Sequence, residues 1–248
     1  MIESVALLAI LAAIFALAGL VKGVTGMGLP TVGVGLLSTV MPPVEAAALM
    51  VVPTILTNIW QMVAGPALGG LAWRLWPMMG GICLGTWLGS GLLAADADLA
   101  TATLGVALLV YSGFGLANRK LPTPSREAER WLGPLAGVVN GVVTAATGVS
   151  VIPAAPYLQA LGLDREALVQ ALGFSFTVST FALAGSLLDS GAFGFGVASH
   201  SLLALAPAFA GVFAGQALRR AVRPETFKRI FFVGLLLLGA HLAVKTML

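Results

Sequence analysis

The sequence predicts an all-α polytopic membrane protein built as two homologous inverted repeats. Each repeat is a broken or re-entrant helix pair followed by three transmembrane helices. Three observations predict this: charge is scarce, the sequence repeats itself, and the two copies carry their basic residues on opposite sides. Of 248 residues, 58% are hydrophobic and 9% are charged, whereas a soluble domain carries about 25% charged residues. Mean hydropathy is +1.00. Charge-free runs cover 46–73, 75–95, 99–118, 167–188 and 190–218. Each reaches the roughly 20 residues that a helix needs to cross the hydrocarbon core.

The duplication is legible in short stretches. "LAGLVKGV" at 17–24 resembles "LAGVVNGV" at 135–142, "VEAAAL" at 44–49 resembles "REALVQ" at 165–170, and "GTWLG" at 85–89 resembles "GVFAG" at 211–215. The repeats are 1–118 and 131–248, joined by a cytoplasmic linker, 119–130, whose prolines and charges suit a solvated connection. In the first repeat the predicted helices are 4–22, 28–41, 44–68, 75–95 and 98–118. The run 5–18 has Glu3 and no Lys or Arg before it, so it reads as a first membrane segment and not as a leader. Their counterparts are 131–145, 148–161, 166–189, 197–218 and 224–245. The first two of these have about 15 residues each, or about 22 Å of helix, short of the roughly 30 Å core.

Orientation follows from positive charge, which favours the cytoplasmic side. Arg119, Lys120, Arg126 and Arg130 lie in the linker, and Arg219, Arg220, Arg223, Lys228 and Arg229 in the last loop. The first-repeat equivalent of that last loop, "AADADLA", is acidic and has no basic residue. If each broken pair goes in and comes back before three spans, eleven of the thirteen basic residues face the cytoplasm. The exceptions are Lys22, in the membrane, and Lys245, outside. Four spans per repeat would put the last loop outside and is rejected. Trp73, Trp76 and Trp131 then flank inside loops as an aromatic belt.

The break in the first repeat carries Gly19, Gly23, Gly26, Gly28, Gly33, Gly35 and Pro30. Glycine costs about 1 kcal/mol and proline about 3 kcal/mol per helix position. Broken backbone persists at membrane depth only inside protein or beside a watery cavity. The second break, "NGVVTAATGVSVIP", offers Asn140, Thr144, Thr147, Gly148, Ser150 and Pro153. Interrupted segments at matching places in two halves point to a transport site. Lys22, with Thr25, Gly26 and Gly28, gives that site a positive bias, reinforced by the free N–H groups of the half-helix after the break. The competing reading places Lys22 at the interface by snorkelling. Thr54, Asn58 and Gln61 share one helix face, and Ser175 and Ser179 match the first two. Pairs such as Gly81/Gly85/Gly89 and Gly211/Gly215 read as helix-packing surfaces, as do Gly19/Gly23 and Gly137/Gly141. Glu45 and Glu166 read as residues that stabilise helix starts.

These residues resemble a known family. "GLVKGVTGMGLPTVGVGLL" is similar to the opening motif of TauE/SafE-type sulfite exporter permeases, and "GVVNGVVTAATGVSVIPAAPYL" to their second motif. The resemblance spans essentially the whole chain. It implies transport of sulfite, organosulfonates or related small anions across the bacterial inner membrane, and a topology of seven to nine spans. The second motif has "TAATG" where several glycines are common. The charge count favours six spans and two returning pairs.

A secondary anion transporter is therefore the leading expectation. One negative charge leaving a cell at 100 mV, inside negative, gains about 2.3 kcal/mol, so export needs no coupling ion. An intramembrane hydrolase would need Ser150 or Ser175 beside His200 or His241, and the chain has no G-x-S-x-G. An anion channel is the third reading. No cofactor or metal is expected, since the histidines lack ligand companions. Nucleic acid is excluded as a partner because the basic residues occupy loops. Lipid and a small anion are the expected partners, and a homodimer is compatible with the sequence. The single Cys83 excludes an internal disulfide and reads as a packing residue.

Overall fold

The computed structural model describes residues 2–117 and 121–246. Arg119 and Lys120 of the predicted linker, and the side chain of Arg220, lie outside the described residues. Every regular element among those described is helical. The first half contains α1 (Ile2–Thr25), α2 (Leu29–Leu37), α3 (Pro43–Val63), α4 (Leu68–Leu88), the single turn α5 (Leu92–Ala95) and α6 (Ala97–Ala117). The second contains α7 (Arg126–Thr147), α8 (Ala154–Ala160), α9 (Arg165–Asp189), α10 (Phe195–Leu203), α11 (Leu205–Ala221) and α12 (Pro224–Lys245). Six stretches are long and apolar enough to cross a membrane, and the α10–α11 pair, bent by 42°, makes a seventh. The large side chains turned outward, such as Trp73, Trp87, Trp131 and Phe195, are more than two-thirds exposed, as lipid-facing residues are. This is a multi-pass membrane protein.

Several boundaries differ from the sequence expectation: the segments expected at 44–68 and 75–95 are α3 and α4, which end at Val63 and start at Leu68, so Arg74 lies within α4 and not in the loop before it. The segment expected at 131–145 is the 22-residue helix α7, about 33 Å long, whose first five residues include four charges; it is not among the helices apolar enough to cross a membrane. It starts inside the expected linker, at Arg126, because the Ser125 hydroxyl accepts from Ala128 N at 3.2 Å and caps the helix. Its first turn is held to α4 by a bidentate pair: Arg74 donates from Nε and Nη2 to Glu129 at 2.9 and 2.6 Å. The returning arms α2 and α8 are shorter than expected, with nine and seven residues. Expected span 197–218 is broken between α10 and α11. The cap of α9 is Asp164, which accepts from Ala167 N at 2.8 Å. Glu166 and Glu45 occupy first turns without capping bonds. Cys83 is exposed on the outer face of α4 and not packed inside.

The glycine surfaces set the architecture. A Cβ on Gly81 or Gly85 would lie 2.4 or 2.0 Å from the carbonyl oxygens of Pro134 and Val138, and one on Gly137 or Gly141 would lie 2.2 or 2.3 Å from those of Met78 and Ile82. Helices α4 and α7 therefore run parallel in backbone contact, without room for side chains. The same relation joins α1 to α11, where Gly19 and Gly23 meet Ala208 and Val212, and Gly211 and Gly215 meet Ala16 and Leu20. Helices α3 and α9 cross in the opposite sense: Gln61 meets Gly173, while Thr54 and Thr180 line one small cavity. Gly105 beside Ala243 and Gly115 beside Phe232 give α6 and α12 the same antiparallel relation.

Candidate functional site

Both breaks are built from the same turn. In the first, Thr25 donates its hydroxyl to Val21 O at 2.9 Å and Met27 O at 2.7 Å, and Gly26 N donates to Lys22 O at 2.7 Å. In the second, Thr147 donates to Val143 O at 2.7 Å, and Gly148 N donates to Thr144 O at 2.8 Å. Gly26 and Gly148 take φ of 79° and 72°, left-handed backbone that favours glycine. The threonine hydroxyl satisfies carbonyls that the ended helix leaves open. This match pairs Thr25 with Thr147, an interval of 122, whereas the sequence repeat pairs Lys22 with Asn140, an interval of 118. The slip is four residues, about one helical turn, so the same face is presented in both registers.

Lys22 is 5% exposed, and its ammonium donates to Asn58 Oδ1 on α3. It is buried, which removes the snorkelling alternative. Among the described residues no carboxylate pairs with it; the recorded ion pair is Arg74–Glu129. Asn58 Nδ2, Thr54 Oγ1 and Ser175 Oγ are buried without hydrogen-bond partners. The stripe predicted on α3 and α9 is thus inside the protein, and part of its polar capacity is unused. Gln61, its last member, instead donates to Gly26 O at 2.9 Å and to Val169 O of α9 at 2.8 Å.

Asn140 is differently employed. Its amide nitrogen faces Ser150 O at 2.9 Å and Ile152 O at 3.0 Å, and its oxygen accepts from Ser179 Oγ at 3.3 Å. It supports the extended stretch between α7 and α8, which keeps broken backbone satisfied at depth. Thr144 bonds back to Asn140 O at 2.7 Å.

Between the two breaks lies a cavity of about 10 Å³, bounded by Pro30 and Thr54 from the first half and by Thr144, Gly148, Ser150 and Thr180 from the second. That is room for about one water. A far larger cavity, about 770 Å³, reaches the first break, where Thr25 and Met27 line it. The family model described as Sulfite exporter TauE/SafE matches residues 11–242 of this chain.

The chain belongs to the TauE/SafE sulfite exporter family. Comparison with the curated proteins and with the solved structures gave no match.

In this TauE/SafE protein the predicted residues fall into two groups. Lys22 and Asn58 touch each other, and Thr144, Gly148 and Ser150 share the small central cavity. Thr25, Gly26, Thr147, Asn140 and Ser179 shape and support the breaks. Gly28, at φ 97°, starts α2. Neither His200 nor His241 bonds to Ser150 or Ser175, and both histidines are exposed. Sequence reasoning missed Gln170. From α9 it accepts from Ala67 N at 2.9 Å and donates to Met62 O and Gly65 O at 2.7 and 2.6 Å, closing the end of α3. Its burial (1% exposed) has no sequence signal beyond a polar residue in a charge-free run.

Proposed function

We propose that this TauE/SafE protein is a secondary transporter that exports a small anion, such as sulfite, an organosulfonate or a related carboxylate, across the bacterial inner membrane. The observation that carries the reading is the buried Lys22 ammonium, bonded to Asn58 and, among the described residues, paired with no carboxylate. Taking an unpaired charge out of water is costly, and an arriving anion offsets that cost. Lys22, Asn58, Thr54 and Ser175 are its first contacts in this reading. The narrow central cavity between Thr54 and Thr144 is the point where the path closes.

Alternating access in this reading is a movement of two inverted repeats about the breaks. The antiparallel crossing of α3 on α9 and of α6 on α12, and the matched pairs α4/α7 and α1/α11, support the inversion. In this reading the Arg165 and Arg219 side of the large cavity faces the cytoplasm, which the positive-inside tendency supports. A charge of −1 moving outward gains about 2.3 kcal/mol per 100 mV, so the potential alone drives export.

The test is uptake and counter-transport of labelled sulfite, sulfoacetate and acetate by proteoliposomes. Exchange of labelled for unlabelled substrate supports a carrier, and its absence points to a channel. Asn58→Leu is expected to reduce transport at least about tenfold, because it removes a charge-assisted bond worth about 1.5–3 kcal/mol. Ser186→Leu, at an exposed Ser90–Ser186 contact of 3.0 Å, is expected to stay within twofold. Equal effects refute the polar stripe as a binding surface. Orientation is checked by membrane-impermeant thiol labelling of Ala95→Cys and Arg223→Cys in a Cys83→Ser background. The two sites are expected to react from opposite faces, and reaction from one face defeats the inverted-repeat reading.

A further inference from the structure

We propose that the large cavity beside the first break is a second anion site, separate from Lys22, which captures an organic anion carrying an apolar body. Three cations from three helices line it: Arg165 of α9, Arg219 of α11 and Lys228 of α12. No carboxylate is among its lining residues. None of the three cations is held in an ion pair among the described residues. A cluster of cations without counter-charge favours an anion, and guanidinium forks suit the planar or tripodal oxygens of carboxylates and sulfonates.

The remaining wall selects what the anion is attached to. Tyr111, Phe231 and Phe232 form an aromatic cluster, with centroids 5.1 Å apart for Tyr111–Phe232 and 5.0 Å for Phe231–Phe232. Lys228 Nζ lies 5.9 Å from the Phe232 ring centre, which ties the cationic rim to the aromatic floor. At about 770 Å³ the cavity falls in the range that encloses drug-sized ligands. A bare oxyanion would leave the partly exposed apolar wall of Phe114, Leu121, Val222 and Phe227 wet, whereas a ring or a chain of several carbons would cover it. An occupant also rests on the Thr25–Met27 turn, and Tyr111 donates to Met27 Sδ at 3.2 Å, so this site abuts the first break.

The test is calorimetric titration of the purified full chain in detergent with p-toluenesulfonate and methanesulfonate at fixed ionic strength. Wild type is expected to bind p-toluenesulfonate at least tenfold more tightly than methanesulfonate. The double variant Arg165→Gln/Arg219→Gln is expected to weaken p-toluenesulfonate at least tenfold, and Phe227→Ala, at the cavity wall, several-fold. The Arg165→Lys/Arg219→Lys variant, which keeps the charge, is expected to recover part of the binding and serves if the glutamine variant does not fold. Ser186→Leu, at an exposed contact away from both sites, is expected to leave p-toluenesulfonate binding within twofold. The proposal is overturned if wild type fails to bind p-toluenesulfonate, or if Lys22→Met abolishes binding while the arginine variants retain it. Undiminished transport by Lys22→Met defeats the transport-site assignment and leaves this second site standing.

Discussion

Lys22→Met is expected to lower anion transport in proteoliposomes by about tenfold to hundredfold while the protein folds and inserts normally. The loss corresponds to a charge-assisted hydrogen bond of about 1.5–3 kcal/mol, at 1.4 kcal/mol per factor of ten. Stability should move far less. Methionine fills similar volume without an ammonium to desolvate, and replacing buried charge by apolar volume is often neutral or stabilising. The opposing effect is the loss of the donor to Asn58 Oδ1, so the change in unfolding free energy should stay within about 2 kcal/mol. The readout is paired: substrate-dependent thermal stabilisation, which follows the ratio of ligand concentration to Kd, and flux. Both should fall together. Flux within twofold of wild type would reduce Lys22 to a packing residue.

The largest structural effect belongs to the glycine contact between α4 and α7. In Gly85→Val the new Cβ would meet Val138 O at 2.0 Å and Val138 Cα at 2.9 Å. These are backbone atoms of a regular helix, which cannot rotate away, so the helices must separate and leave voids along their shared face. A loss of more than about 3 kcal/mol is expected, seen as lower yield and earlier unfolding. Gly80→Ala on the same helix has no atom within 4 Å of the added carbon. There the gain in helix propensity, about 1 kcal/mol, should keep or raise stability. If the two variants melt alike, close backbone approach is not what joins the halves.

Spans were legible because lipid excludes charge: the five charge-free runs fall largely within helices. The glycine pairs were legible because repeats of small residues four apart make flat helix faces. The start of α7 was not, since Arg126, Glu127, Glu129 and Arg130 resemble a solvated linker, and their ordering depends on the Ser125 cap and on Arg74 from a distant helix. Asn140 illustrates a different limit. A buried amide in a broken segment reads as a ligand, yet this one is consumed by the carbonyls of Ser150 and Ile152, ten and twelve residues along the chain. Gln170 escaped because its partners are backbone groups of the other half, which no local spacing reveals.

The two buried glutamines also make the halves unequal. One repeat length away, 121 or 122 residues, Gln61 corresponds to Ala182 or Leu183, and Gln170 to Leu49 or Ala48. Identical halves would give inward and outward forms the same free energy by symmetry. Here five hydrogen bonds tie α3 to α9 and the break on one side, against aliphatic contacts on the other. In the alternating-access transporter proposed above, that would break the degeneracy and give the empty carrier a preferred resting side, set by its own side chains before any gradient acts on it.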